Sequence, residues 1–329
     1  MPLIQHNNLP SFERIQSEGV ELCSSNNKNV SLPDIKIGFL NMMPDAAIAA
    51  TERQFLRLVG ANKLVNCTFY PFTINGIERS AEAQAYINKY YIDYSVIRTL
   101  DIDALIITGA NVSQPLLQNE LFWPELIKVL AWSKANVRST LCSCLATHAA
   151  VKVFYAVDRQ HLGDKCWGVY DHHVSALQHP LIEDVKSPIQ MCHSRFNDIP
   201  KKLFLSHDVE VLIESEQVGV QLAAEKDNSV VYFQGHPEYD DISLLKEYKR
   251  EIIRYIMGER NDYPPVPENY FNVEAIKYIN EYQAQLEKAD DRQALLDLFP
   301  EIELRKVVDN AWQESASTIF SNWVSLVAN

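Results

Sequence analysis

Two thiols stand one residue apart in "STLCSCLATHAA", Cys142 and Cys144. A histidine and a glutamate stand two positions apart in "GHPEYD", His236 and Glu238. A thiol can attack a carbonyl, clamp a metal, close a disulfide or fill a core, and its position decides which. Cys144 comes directly after a predicted strand, "NVRSTLCS" (136–143), and directly before helical sequence that opens at Leu145. There it meets unpaired backbone N–H groups and the positive end of a helix dipole, both of which favour thiolate. A sharp strand-to-helix turn is also the geometry that exposes a nucleophile. Cys142 lies inside the strand, where a thiol behaves as a small hydrophobe. Cys144 is therefore expected to react and Cys142 to pack.

A thiolate nucleophile needs a base, and the base needs a group to orient it. His148 is near in sequence, but no acid flanks it, and a helical side chain lies along its own helix. It reads as packing or pocket lining. His172 and His173 in "YDHHV" are neighbours and point apart, so at most one can enter a pocket. His236 ends the apolar run "SVVYFQG". Gly235 before it allows close backbone approach, and Glu238 after it can hold the imidazole tautomer. The expected constellation is Cys144, His236 and Glu238, suited to acyl transfer through a thioester. Cys142, Cys144, His148, Cys166, Cys192 and His193 could supply zinc ligands. However, C-x-C without a second spaced pair is a weak signal and HExxH is absent, so no metal is predicted. Nucleotide motifs of the GxGxxG and P-loop types are also absent, and no cofactor is predicted.

These groups need a scaffold that brings strand ends together. Strands are predicted at 34–41, 63–72, 103–109 and 136–143, alternating with helices at 50–61, 80–91, 119–135 and 145–156. Several strands are apolar on both faces. That pattern predicts an α/β fold, a mostly parallel sheet flanked by helices on both faces. Three further strands crowd into 209–235 as a hairpin-rich extension, before a long helix at 239–259. In such sheets ligands bind at the carboxyl ends of strands, where both Cys144 and His236 fall. Residues 1–33, polar around "SSNNKN", are expected to be a loose lead-in. Residues 34–329 are expected to form one domain, with helices from about 271 to 329 wrapping it.

Bulk properties narrow the partners. A net charge of −13 over 329 residues excludes a general nucleic-acid or membrane-surface binder. The N-terminal residues lack a basic region followed by an apolar run, so no secretory signal is predicted. No apolar stretch is long enough for a bilayer. Six scattered cysteines in a long chain fit a reducing cytoplasm and no disulfide framework.

Several segments together carry a resemblance: "KIGFLNMMPDAAIAATERQFLRLV", "DALIITGANV", "WSKANVRSTLCSCLATHAA", "KCWGVYDHH", "HSRFND", "FQGHPEYD" and "TIFSNW". In this order, from about residue 35 to 323, they resemble the homoserine O-acyltransferases of methionine biosynthesis, of the homoserine O-succinyltransferase type. Those enzymes share the class I glutamine amidotransferase fold. The resemblance implies transfer of a succinyl or acetyl group from its CoA thioester to the homoserine hydroxyl by a ping-pong route. It implies acyl-CoA as co-substrate, the amino acid as the other small-molecule partner, and a homodimer. It places the acyl-thioester cysteine at Cys144 and the catalytic histidine and glutamate at His236 and Glu238. Substrate-binding residues fall on Lys165, Ser194 and Arg250, and the position associated with acyl specificity on Ser113. A small uncharged Ser113 leaves room for a succinyl carboxylate, so succinyl-CoA is the expected donor. Two departures stand out. The segment after Met43-Pro44 lacks the lysines of many relatives, which leaves backbone N–H groups near Cys144 and Met43 for the oxyanion. Leu145 and His148 replace a frequent tryptophan and glutamine. A glutaminase-type amidotransferase or cysteine hydrolase, or transfer to another acceptor such as serine, are the alternatives.

Overall fold

Side-chain alternation in the central strands sorts the core into two layers. The computed structural model describes residues 3–329. Among these, eleven strands form one sheet: β1 Leu3–Gln5, β2 Leu22–Ser24, β3 Asp34–Met42, β4 Asn66–Phe72, β5 Ala104–Ala110, β6 Ser139–Ser143, β7 Gln160–Val174, β8 Ile189–Asp198, β9 Val209–Ser215, β10 Gly219–Glu225 and β11 Val230–Phe233. Their order is β2-β1-β4-β3-β5-β6-β11-β10-β9-β7-β8. The run from β2 to β11 is parallel, and the remaining strands pair antiparallel.

On one face Ile37, Phe39, Ile106, Leu141, Val231 and Phe233 pack against the helices Pro10–Ser17, Ile48–Val59, Ser243–Ile256 and Gln313–Ala328. On the other, Leu105, Ile107, Cys142, Val230 and Tyr232 pack against Trp123–Asn136 and Leu145–Tyr155. Full burial of each large side chain is worth roughly 1.5–3 kcal/mol, so both layers hold the sheet rigid under the site. The predicted α/β architecture is observed, with a helical C-terminus at Val273–Lys288, Glu301–Val307 and Gln313–Ala328. No helix among the described residues is long and apolar enough to cross a membrane.

Two segments differ from the sequence expectation. The lead-in is not loose. Its first two residues lie outside the described ones, but β1 pairs with β2 and β4. Leu9, Phe12 and Ile15, three apart and started by Pro10, bury one face of a short helix completely. Three-residue strands are too short to show a period, which is why the polar composition misled. The β7–β8 hairpin matches no predicted strand. Its residues are polar enough to hide the alternation, yet Trp167 and Val169 are buried and His172 turns inward while His173 is exposed. The two histidines do point apart.

Candidate active site

β6 and β11 are parallel neighbours, with Ser143 beside Phe233. Residues just beyond either strand therefore emerge together at one edge of the sheet. Cys144 is the first residue past β6, and His236 is the third past β11. The Cys144 amide donates to the Phe233 carbonyl at 2.8 Å. Thr147 fixes the same corner, its hydroxyl within hydrogen-bond distance of the carbonyls of Cys142 (2.9 Å) and Phe233 (2.7 Å).

Cys144 has φ 52° and ψ −109° and caps the helix Leu145–Tyr155. A non-glycine residue at this φ is strained, and strain of this kind is retained where it presents a side chain. The thiol is half-buried, and the first amides of the helix lie beside it. Gly109, at the end of β5, approaches closely: a Cβ there would stand 3.7 Å from the Cys144 Cβ, 3.9 Å from the Met43 sulfur and 4.0 Å from the Leu145 nitrogen. The end of β5 and the start of the helix thus close in on the Cys144 side chain. Cys142 is fully buried, and burial pushes its thiol far above the usual range. The two thiols are as unequal as the sequence predicts.

The His236 Nδ1 meets Glu238 Oε1 at 2.8 Å. That leaves Nε2 as the ring nitrogen free to serve Cys144, whose charge acts on the imidazole. Burial pulls the imidazole pKa down, but negative charge on Cys144 and on Glu238 outweighs it. The net position is well above the ordinary value. The ring stacks on Tyr239, with centroids 4.2 Å apart and planes 19° apart. The other Glu238 oxygen is buried with no hydrogen-bond partner among the described residues, so this carboxylate is devoted to the imidazole. His148 is also buried, and burial, followed by the charges of Arg195 and Arg159, lowers its pKa to about 3. It is neutral at working pH and packs rather than titrates.

A second cluster joins the predicted Lys165 and Ser194 to Glu247, a residue absent from the sequence expectation. Ser194 Oγ donates to its Oε2 at 2.6 Å, Lys165 Nζ at 3.1 Å, and Tyr239 OH donates to Oε1 at 2.6 Å. Burial would raise the Glu247 pKa, but Lys165 and the two hydroxyls reverse this and hold it low. Lys165 also lies 4.1 Å above the Trp167 ring. The structure therefore brings Lys165 and Ser194 to one carboxylate and, through Tyr239, to His236. Arg250 is one turn beyond Glu247 on the same helix, exposed and without an ion pair among the described residues. It does not touch the cluster. The signal for Glu247 is a charge set in the apolar stripe Leu244, Leu245, Tyr248, Ile252. Ser113 lies across the site on an exposed loop, where Glu120 accepts from the amides of Ser113 and Gln114, both at 2.7 Å. A cavity of about 370 Å³ opens there, lined by Met42, Pro44, Ala110, Ser113 and Phe122 among others.

The loop after β11 is pinned on all sides. The His236 amide donates to Cys192 O at 2.8 Å. Arg53 and Arg57 pair with Asp240. The Trp312 indole donates to Tyr239 O at 2.7 Å, tying in the C-terminal helices. Behind it runs a one-directional chain: Arg195 Nε–H donates to His193 Nδ1 (3.2 Å), His193 Nε2 to His172 Nε2 (3.0 Å), and His172 Nδ1 to Tyr170 O (2.9 Å). Gly235 fits against this wall. A Cβ there would fall 2.3 Å from Gln221 Oε1 and 2.6 Å from Cys192 O. Gly235→Ala is expected to destabilise the fold by roughly 1–3 kcal/mol and to displace His236. Denaturant melts paired with turnover check this, and wild-type values in both would refute the close approach.

A sequence profile described as Homoserine O-succinyltransferase matches residues 2–329. A protein of that name from Methylobacter tundripaludum is 47% identical over 99% of this chain and 93% of its own length. One from Methylococcus capsulatus has the same identity and coverage. Among solved structures, a glutamine amido transferase from Methylobacillus flagellatus superposes with a TM-score of 0.50 at 13% identity, over 90% of this chain and 95% of that one. That likeness is one of fold. The whole-length sequence match, on a chain that carries a cysteine at a strained strand-to-helix corner beside a histidine–glutamate pair, makes this chain a member of the homoserine O-succinyltransferase family.

Proposed function

We propose that the protein transfers the succinyl group of succinyl-CoA to the hydroxyl of L-homoserine, through a thioester on Cys144, for methionine biosynthesis. The observation that carries the mechanism is the row Cys144–His236–Glu238 at the shared edge of β6 and β11. The family supports the substrates. The Cys144 thiolate attacks the thioester carbonyl. Backbone N–H groups near Cys144, such as that of Leu145, would stabilise the oxyanion. The tetrahedral adduct expels CoA, which takes the proton held by the His236 imidazolium. The neutral imidazole then removes the proton of the homoserine hydroxyl as its oxygen attacks the acyl-enzyme. Collapse releases O-succinylhomoserine and restores the thiolate–imidazolium pair. Glu247 with Lys165, and the exposed Arg250 one turn further along the same helix, offer charges to hold an amino-acid zwitterion.

The test is intact-mass measurement after mixing with succinyl-CoA alone. One succinyl group per chain is expected, discharged by homoserine and not by serine or water over the same interval. Discharge by serine would move the acceptor. No adduct with succinyl-CoA would overturn the reading.

A further inference from the structure

We propose that Arg159 binds the free carboxylate of the succinyl group and so makes the site choose a dicarboxylic acyl donor. The inference rests on the succinyl transfer proposed above and names the residue that recognises that group. A succinyl thioester carries a carboxylate three carbon–carbon bonds from the carbonyl that Cys144 attacks. Brought into a half-desolvated site, that charge needs a cation with free donors.

Most cations nearby are committed. Arg195 spends its donors on His193, Asp198 and the Val218 carbonyl. Lys165 is held by Glu247 on the His236 side. Arg79 is turned to Met43 O and Asp45. Arg159 differs. It directly precedes β7 and is half-buried, and it has no carboxylate within ion-pair distance among the described residues. Its Nη2 makes one long approach, 3.5 Å, to the Pro115 carbonyl. Its Nε is buried with no acceptor. Burial lowers its pKa, against the opposing charges of Cys144 and Glu120. Glu120 is not its partner: both its oxygens are taken by the amides and hydroxyl at Ser113 and Gln114. A guanidinium with an unused fork, resting at Pro115 on the loop that leads out of β5, whose Gly109 end abuts Cys144, matches a carboxylate delivered with the acyl chain.

The experiment measures single-turnover acylation of Cys144 by succinyl-CoA and by acetyl-CoA, in the wild type, Arg159→Met and Arg159→Lys. The succinyl-to-acetyl ratio of kcat/KM is expected to fall by about 30-fold or more in Arg159→Met, the scale of a charge-assisted hydrogen-bonded pair. Arg159→Lys keeps the charge and loses the fork, so its ratio should fall by less, about 5-fold. If Arg159→Met does not fold, the lysine variant decides. Equal slowing with both donors, leaving the ratio unchanged, would overturn the proposal while sparing the acyltransfer reading. Failure of succinyl-CoA to acylate the wild type would overturn both.

Discussion

Cys144→Ala is expected to lower acyl transfer by about 10⁴–10⁶-fold, the scale seen when a nucleophile that acts as part of a unit is removed. No succinyl adduct should form on the variant. Cys142→Ala should keep the adduct and lose a little stability, because that thiol only fills the layer between Tyr232 and the helix Leu145–Tyr155. The contrast isolates position from chemistry, since the two residues are the same type and stand one residue apart. Cys144 alone has the left-handed φ that lifts its side chain off the sheet. An adduct that survives in Cys144→Ala would assign the thioester elsewhere.

The discharge of the acyl-enzyme should lose rate steeply in acid, and this pH limb should belong to His236. In the free enzyme the imidazole is held protonated well above its ordinary range, because the charges of Cys144 and Glu238 overcome burial. Acylation removes the charge on Cys144, the larger of the two raising influences. The pKa of His236 therefore falls in the acyl-enzyme, where burial still lowers it and Glu238 still raises it. The neutral base required for discharge is then present above that lowered value and lost as pH drops through it. Acylation, which starts from the charged pair, should be flatter across neutral pH. Single-turnover discharge by homoserine from pH 5 to 8 checks this, and a flat discharge rate would remove His236 as the base. His236→Ala should cost discharge about 10²–10⁴-fold at neutral pH.

The strand-to-helix corner at Cys144 and the His236–Glu238 pair were legible because each signal is local. A strand ends, a helix begins, and the cysteine between them has no other place to go. Gly235 and Pro237 mark the turn that carries His236 in the same way. Glu247 was not legible. Its own helix shows only a charge in an apolar stripe, and the partners that stabilise that charge come from β7, β8 and the Tyr239 loop. Arg159 is hidden for the same reason, since its meaning depends on the loop at Pro115 and on the absence of a carboxylate beside it. The β7–β8 hairpin escaped because residues that pack between sheet edge and helix need little apolar alternation. The N-terminal strands escaped because three residues hold no period. Ser113 and Arg250 were found by resemblance alone, and both sit on exposed backbone that no local pattern singles out.

The pairing of β6 with β11 has a bearing on when the protein becomes an enzyme. Some ninety residues of chain separate Cys144 from His236, and the amide of Cys144 is itself satisfied by Phe233 of the later strand. β11 enters between β6 and β10, in the interior of the sheet. Until that strand is seated, Cys144 has neither its cornered backbone nor a histidine to activate it. Such long-range pairings form late because loop closure must precede them. During synthesis Cys144 and His236 are thus kept apart by the incompleteness of the chain between them. The first moment at which the two can meet is the moment the sheet is whole.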